Sequence, residues 1–228
     1  MAKNVKVLAL TDHNTSLNCP AFGFHCKRLG IIPVYGLEVT TQEEVHMLTL
    51  FASLDAALAF GEYIYSIITP FLNNPDKSGD QVYVDEDDNI LGEVEYFLVN
   101  AADIGVDALG PKVFEYGGIV IPAHVDRPAF SMVSQLGVVV EGPWTALECV
   151  RVPPLSSFGN LASPPLNTYQ YPLITGSDAH YPEHIGRRPF ELTVTTEELL
   201  PQGPEKDLDL LALKKALKQL PGAFSKPG

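Results

Sequence analysis

Short apolar segments recur along the chain, and polar or turn-forming residues follow each of them. Such segments, rich in Val, Ile and Leu and bounded by Gly, Pro, Asp or Asn, are typical of β-strands. Seven strands are predicted this way, at residues 5–10, 31–35, 45–51, 119–123, 146–150, 171–175 and 190–194. Helices are predicted at residues 20–29, 54–68, 93–116 and 207–220. This alternation indicates an α/β fold with a mainly parallel sheet, open or closed into a barrel.

Residues 70–92 interrupt the alternation. They are rich in Pro, Asn, Asp and Gly, and two short apolar stretches inside them, 81–85 and 90–91, flank a polar turn. This pattern predicts a small hairpin insertion. We expect one domain over residues 1–228, with this insertion and a C-terminal helical tail at residues 195–228.

The composition indicates a folded chain and bears on where in the cell the protein is expected. Hydrophobic residues make up 46% and charged residues 19% of the 228 residues, as in globular proteins. No stretch approaches the roughly 20 apolar residues of a membrane helix, and the first residues lack the apolar core of a signal peptide. We therefore expect a cytoplasmic protein without a membrane partner. Three cysteines without a Cys-x-x-Cys pair argue against a Cys-rich zinc site.

The net charge narrows the choice of ligand. It is −13, and no run of Lys and Arg offers a surface for a polyanion. Long nucleic acid is therefore not expected as a partner. A small phosphorylated substrate is compatible with the charge, because bound divalent metals invert the potential locally.

Histidines and carboxylates lie just past the C-terminal ends of the predicted strands, or close to such an end in the sequence. They are Asp12, His13, Glu38, His46, His124, Asp178 and His180. The carboxyl ends of parallel strands meet at one rim, so these side chains are expected to converge there. Imidazole and carboxylate together suit Zn, Mn or Fe, and a bridging carboxylate such as Glu38 allows more than one metal. Each histidine alone is better explained as a hydrogen-bonded core or surface residue, and it is their recurrence at successive strand ends that favours a site.

Three further residues are less specific. Arg127 follows His124 by three residues. Its guanidinium is expected either to bind a phosphate or to form a surface ion pair. His25 is interpreted as a helix-face residue. His184 lies four residues after His180, but Pro182 between them argues against a regular zinc-binding helix.

Several of these residues stand in segments that resemble successive motifs of the PHP (polymerase and histidinol phosphatase) family, in family order. The segments are Ala9-Leu-Thr-Asp-His-Asn-Thr15, Gly36-Leu-Glu-Val39 followed by Val45-His46, Pro122-Ala-His124 and Gly176-Ser-Asp-Ala-His180. They extend over most of residues 5–190. The resemblance implies a distorted seven-stranded β/α barrel that holds up to three divalent metals and hydrolyses phosphoesters.

The resemblance also implies a ligand set. Glu38 is expected to bridge metals, with His46 and His124 on one of them, while Asp178 serves a second metal.

The remaining ligands and the mechanism follow from the same resemblance. His13 and His180 are expected to bind a third metal, and Asp12 to support a ligand. The expected reaction is attack of a metal-bound hydroxide on phosphorus. His180 or Asp12 is expected to protonate the leaving oxygen, and Arg127 to bind the substrate.

One family motif is absent, a His-x-His on an earlier strand. The barrel is therefore expected to lack its first strand, either because the reading frame is shortened or because the protein is a naturally reduced member. Residues 5–10 would then form an exposed sheet edge, which favours pairing with a second chain, so a homodimer is expected.

Taken together, the sequence predicts a metal-dependent phosphoesterase that hydrolyses a small phosphomonoester or nucleotide with one to three divalent ions. One alternative is a degenerate PHP module that binds metal or a partner without turnover. A second alternative is an amidohydrolase-type barrel, whose bridging lysine has no candidate at a strand end here.

Overall fold

Most of the predicted apolar segments form strands. The structure is a computed structural model that describes residues 4–150, 171–201 and 207–220. The strands are β1 (Val7–His13), β2 (Ile32–Thr40), β3 (His46–Phe51), β4 (Val82–Val84), β5 (Ile90–Glu93), β6 (Ile119–Pro122), β7 (Leu147–Cys149) and β8 (Leu173–Thr175). The helices are α1 (Cys19–Arg28), α2 (Leu54–Ile67), α3 (Pro75–Ser78), α4 (Val106–Glu115), α5 (Met132–Leu136), α6 (Thr196–Leu199) and α7 (Leu210–Leu217).

The strands do not form the expected seven-stranded barrel. Four of them make a sheet in the order β1-β2-β3-β6, and β4-β5 and β7-β8 are separate pairs. No closed barrel is present in the residues that the structure describes. The reason lies in the link between β2 and β3, which consists only of residues 41–45. A parallel connection needs a crossover of a dozen residues or more, so β3 turns back antiparallel to β2.

Two other predicted elements differ from the structure. Residues 190–194 do not form a strand, and the half-buried side chains of Leu192 and Val194 pack against the second core cluster from a loop. The helical prediction at residues 93–116 holds only for α4. The hairpin β4-β5 lies inside the predicted insertion. Residues 202–206 and 221–228 of the predicted tail lie outside the described residues.

The central strand β2 is buried on both faces, and its alternate side chains divide the core in two. Tyr35, Leu37 and Val39 face the cluster that contains side chains of α2 and α4. Ile32 and Val34 face the second cluster, which includes Leu213 and Leu217 of α7. On this second face the alternation continues through Gly36 to Glu38, so the apolar surface ends at a carboxylate.

β1 lies at one edge of the sheet and pairs only with β2 among the described strands. Its residues are mostly half-buried, in contrast to the fully buried β2. Within the described ranges, no helix has the length and apolar character to cross a membrane.

Gly36 permits the close approach of β3 to β2. A Cβ at this position would collide with the backbone oxygen of Thr49. Gly36→Ala is therefore expected to lower the free energy of unfolding in urea by about 2–3 kcal/mol. Gly30→Ala is the control, because its Cβ would meet no atom within 4 Å and only the φ of +68° is unfavourable. Its expected loss is about 1 kcal/mol. Equal losses in the two variants would contradict this role of Gly36.

Candidate metal centre

The buried carboxylate of Glu38 is the centre of the candidate site. Glu38 lies near the end of β2, opposite His13 in the parallel register with β1. His46 begins β3, and its register position opposite Thr40 puts it at the same end of the sheet. Because β3 is antiparallel, its first residue meets the last residues of its neighbours. The convergence predicted from parallel strand ends therefore occurs through a different topology.

His124 reaches the same point from β6, but only through a change in backbone direction. Ile119 and Ile121 of β6 face the second core cluster, and Val120 faces the first. Continued strand alternation would turn His124 toward the face of Val120. Instead, His124 has a φ of +29°, and its Nε2 lies 3.2 Å from Glu38 Oε1.

Three imidazoles thus surround one carboxylate. His46 Nδ1 lies 3.2 Å from Glu38 Oε1, and His13 Nδ1 lies 3.5 Å from Glu38 Oε2. His13, Glu38 and His46 each offer a ligand atom, and these atoms lie within 4.8 Å of one another. No other group of three His, Cys, Asp or Glu residues with this spacing occurs in the described part of the chain.

The ring nitrogens of these histidines lack the partners that buried polar atoms normally have. His13 Nδ1, His46 Nδ1, His46 Nε2 and His124 Nδ1 are all buried without an aligned hydrogen bond. Two of these atoms, His13 Nδ1 and His46 Nδ1, face Glu38, whereas His46 Nε2 and His124 Nδ1 are the ring nitrogens that do not. Most buried polar atoms in folded proteins are satisfied, so these nitrogens require an explanation. A divalent cation fits this donor set, since imidazole and carboxylate are ligands for such ions.

The charges of the cluster favour the ionised form of the Glu38 carboxyl, which is the form that binds metal. Burial alone raises the pKa of this carboxyl, but the hydrogen bond with His124 and the adjacent His46 and His13 outweigh it, so the pKa lies far below its ordinary value. Burial lowers the pKa of the His13 imidazole, which favours its neutral form. Burial also acts to lower the pKa of His124, but its hydrogen bond with Glu38 outweighs this and raises it. An ionised carboxylate and neutral imidazoles are the forms that bind metal.

The backbone around the cluster is strained. Six non-glycine residues of the described ranges have positive φ, and four of them are at this rim, namely Asn14, His124, Phe130 and Asp178. Such strain persists where surrounding contacts impose it and is concentrated at functional sites. Phe130 stacks on the ring of His46 with centroids 4.9 Å apart.

Asn14 holds the loop after β1. Its backbone N–H donates to the carbonyl of Glu38, and its side-chain amide donates to the carbonyls of Leu98 and Asn100. The side-chain oxygen accepts from the N–H of Thr40. The ends of β1 and β2 are thus fixed beside the cluster.

Asp178 and His180 lie at the margin of the cluster. His180 Nδ1 is 3.6 Å from Asp178 Oδ1, and the ring centroid of His180 is 6.1 Å from that of His13. Arg127 Nη1 lies 3.4 Å from Asp178 Oδ2, so the predicted phosphate-binding residue forms an ion pair with a predicted metal ligand. The metal roles of Asp178 and His180 stay predictions.

Asp12 is the predicted site residue that is turned away from the cluster. Successive residues of a strand face opposite sides, so Asp12 faces α1 while His13 faces Glu38. Its carboxylate accepts a hydrogen bond from Asn18, 3.1 Å away, and burial raises its pKa. Its catalytic role stays a prediction.

Sequence reasoning missed three residues of the site. Asn14 stands inside one of the recognised motifs, but nothing marks its side chain as a hydrogen-bonding centre. Glu148 is the single charged residue of an apolar strand, a signal that could have identified it, and burial raises its pKa to about 7. Phe130 has no sequence signal.

A cleft of about 1310 Å³ opens beside the cluster. The edge strand β1 lines it, together with His124, Glu148 and His180. The candidate metal centre is therefore accessible from solvent.

Comparison with known proteins supports the fold. The lesion-specific endonuclease PfuEndoQ from Pyrococcus furiosus is similar in structure, with a TM-score of 0.59 and 16% identity over 95% of this chain and 48% of that chain. An Endonuclease Q complex with a 27-mer duplex substrate that has an abasic lesion at the active site gives a TM-score of 0.53 and 16% identity, over 95% and 49% of the two chains. This chain therefore spans about half the length of those proteins. No protein-family model and no curated protein matches the sequence.

These structures overturn the prediction that long nucleic acid is excluded as a partner. Endonuclease Q, which has a similar fold, forms a complex with a 27-mer duplex substrate. The exclusion rested on the net charge of −13, which is a sum over the whole chain. Local potential decides binding in a cleft, and Arg127, Arg187 and Arg188 all contact the turn at residues 176–178 or its side chains.

Metal binding is expected to depend on Glu38. Isothermal titration calorimetry with Mn²⁺ or Zn²⁺ is expected to give at least one bound equivalent for the wild type. Glu38→Gln is expected to weaken binding beyond the roughly 10–100-fold typical of residues that only support ligands. His25→Ala, on α1 and outside the cluster, is the control and is expected to bind normally. Unchanged binding by Glu38→Gln would contradict the proposed centre.

Proposed function

We propose that this chain is a metal-dependent phosphoesterase module of PHP type, and that it cleaves phosphodiesters of nucleic acid. The observation that carries the proposal is the convergence of His13, His46 and His124 on the buried carboxylate of Glu38. His13 Nδ1 and His46 Nδ1 contact this carboxylate without an aligned hydrogen bond. The similarity in fold to lesion-specific endonucleases supports the choice of nucleic acid.

His13, Glu38 and His46 are the residues that would hold a divalent ion, because their ligand atoms lie within 4.8 Å of one another, and His124 contacts the same carboxylate. When bound, such an ion activates water and neutralises charge on phosphoryl oxygens. Phe130 and Asn14 keep these ligands in place through the ring stack on His46 and the hydrogen bonds at the ends of β1 and β2.

Arg127 is proposed to bind the phosphate. Its side chain is 36% exposed at the rim, and its ion pair with Asp178 aims the guanidinium along the margin of the cluster. A guanidinium presents several donors in a fixed plane and can contact two oxygens of one phosphate. Exchange of the Asp178 contact for a phosphate contact would leave Asp178 available to a second cation.

His180 is proposed to supply the proton to the leaving oxygen. It is the exposed histidine of the group, with 58% of its side chain accessible, and it lies beside His13 at the opening of the cleft. A ring nitrogen of an imidazole can donate a proton to an oxygen within hydrogen-bond distance, which suits this role. Asp12 is proposed only to support the loop through Asn18, because its carboxylate faces the other side of β1.

A small phosphomonoester or nucleotide is the second candidate substrate. The same metal chemistry would serve it, because an ion that activates water acts on phosphomonoesters as well as on phosphodiesters.

Substrate profiling separates the two candidates. Protein loaded with Mn²⁺ is expected to cleave a DNA duplex that contains an abasic site, and to cleave p-nitrophenyl phosphate and nucleoside monophosphates more slowly. His124→Ala is expected to lower the rate by on the order of 100-fold or more. Arg127→Ala is expected to raise KM by roughly 10-fold, and Arg28→Ala, a distant arginine on α1, to leave it unchanged.

Two other results would revise the proposal. Hydrolysis of the monoesters alone would establish the second candidate. If metal-loaded protein hydrolysed none of these substrates, the phosphoesterase proposal would be wrong, and a module without turnover would remain.

A further inference from the structure

Glu148 is a buried carboxylate that the proposed chemistry does not use. It lies in the middle of β7, between the buried Leu147 and Cys149, and its exposed fraction is 6%. Among the described residues, only two carboxylate side chains are buried, those of Glu38 and Glu148. No Lys or Arg of the described residues forms an ion pair with Glu148. Burial of an unpaired carboxyl is costly, so a position that served only packing would favour an apolar residue.

The contacts of Glu148 are with the backbone that carries His124. Glu148 Oε2 accepts a hydrogen bond of 2.9 Å from the N–H of His124. Its backbone carbonyl accepts a second one, 2.8 Å long, from the N–H of Val125. Glu148 therefore holds both residues at the point where the chain leaves the strand direction of β6.

That change of direction is what brings His124 into the site. Strand alternation would turn its ring away from Glu38, and the φ of +29° reverses this. Positive φ is unfavourable for a side chain with a Cβ, so the conformation needs contacts that impose it. The hydrogen bond from the His124 N–H to Glu148 is such a contact. It involves the backbone of His124, so it leaves the imidazole ring free to contact Glu38.

The second oxygen of Glu148 meets the turn that leads to Asp178. A Cβ at Gly176 would overlap Glu148 Oε1, so the turn passes directly over the carboxylate. Arg188 Nε donates to the carbonyl of Gly176 over 2.7 Å and holds the same turn from the other side. One buried side chain therefore contacts both segments that carry predicted ligands from β6 and β8.

We propose that Glu148 is a positioning residue of the metal centre, whose carboxylate fixes the backbone of His124 and the Gly176 turn so that the His124 imidazole meets Glu38. The inference rests on the proposed function in so far as the cluster binds metal. It assigns Glu148 no contact with substrate. Removal of the acceptor is expected to free the His124 backbone and weaken metal binding, although the ligands themselves are intact.

The test compares two substitutions at this position by Mn²⁺ titration calorimetry on the full chain. Glu148→Ala removes the acceptor, and Glu148→Gln keeps an oxygen that can accept from the His124 N–H. The control is Asp209→Ala, because Asp209 Oδ1 also accepts backbone N–H groups, those of Leu211 and Ala212 at the start of α7. Circular dichroism melts verify that each variant is folded, and hydrolysis of the abasic duplex is measured in parallel.

The Kd for Mn²⁺ is expected to rise roughly 10–100-fold in Glu148→Ala and to stay within about threefold of the wild type in Glu148→Gln. Asp209→Ala is expected to lower the melting temperature without a change in Kd. Rescue by glutamine distinguishes positioning from general loss of stability.

The other outcomes overturn the inference or separate it from the proposed function. An unchanged Kd in Glu148→Ala would overturn the inference and leave the phosphoesterase proposal intact. Equal weakening in Glu148→Gln and Asp209→Ala would overturn it as well, since the effect would then not depend on this acceptor. If wild type and Glu148→Gln bound Mn²⁺ but cleaved no substrate, the inference would stand and the proposed function would fail. A wild type without Mn²⁺ binding would overturn both.

Discussion

The burial of the Glu38 carboxylate is the constraint on which the rest of the site depends. An ionised carboxyl in the interior is costly unless charges or hydrogen bonds compensate for it. Here the compensation comes from His13, His46 and His124, whose approach holds the pKa of Glu38 far below its ordinary value. The histidines satisfy Glu38 but leave ring nitrogens of their own without partners. A cation bound by Glu38 and the ring nitrogens that face it would add to this compensation, and it would account for a carboxylate that is otherwise unfavourable in a protein core.

The sheet topology produces this convergence without a barrel. The short link between β2 and β3 makes β3 antiparallel and brings its first residue, His46, to the rim where β1 and β2 end. The sequence predicts most of the strands because their apolar runs are short and bounded by turn residues. It does not predict that β2 continues through Gly36 to Thr40, because glycine normally ends such a run, whereas here it permits close strand contact. Residues 190–194 have the composition of a strand but pack as a loop, which apolar content alone does not distinguish.

The convergence of side chains was predictable where residue type and strand ends coincide, as for Glu38 and His46. It was not predictable where geometry depends on backbone conformation. Asp12 and His13 are neighbours in sequence, and strand alternation separates their side chains onto opposite faces. The contribution of Glu148 to the His124 backbone is likewise a contact between distant segments, which no local pattern contains. Net charge alone does not exclude a nucleic-acid partner, because it is a sum over the whole chain and does not describe the rim, where Arg127, Arg187 and Arg188 lie.

Crystallography with anomalous scattering tests the central claim most directly. Crystals of the wild-type protein soaked in Mn²⁺ or Zn²⁺, with data collected on both sides of the metal absorption edge, would locate any ion relative to the side chains. We predict an anomalous peak at coordinating distance, roughly 2.0–2.2 Å, from Glu38 and at least two of the three imidazoles. Metal bound only elsewhere, or a fully formed cluster without a peak at saturating metal, would contradict the account.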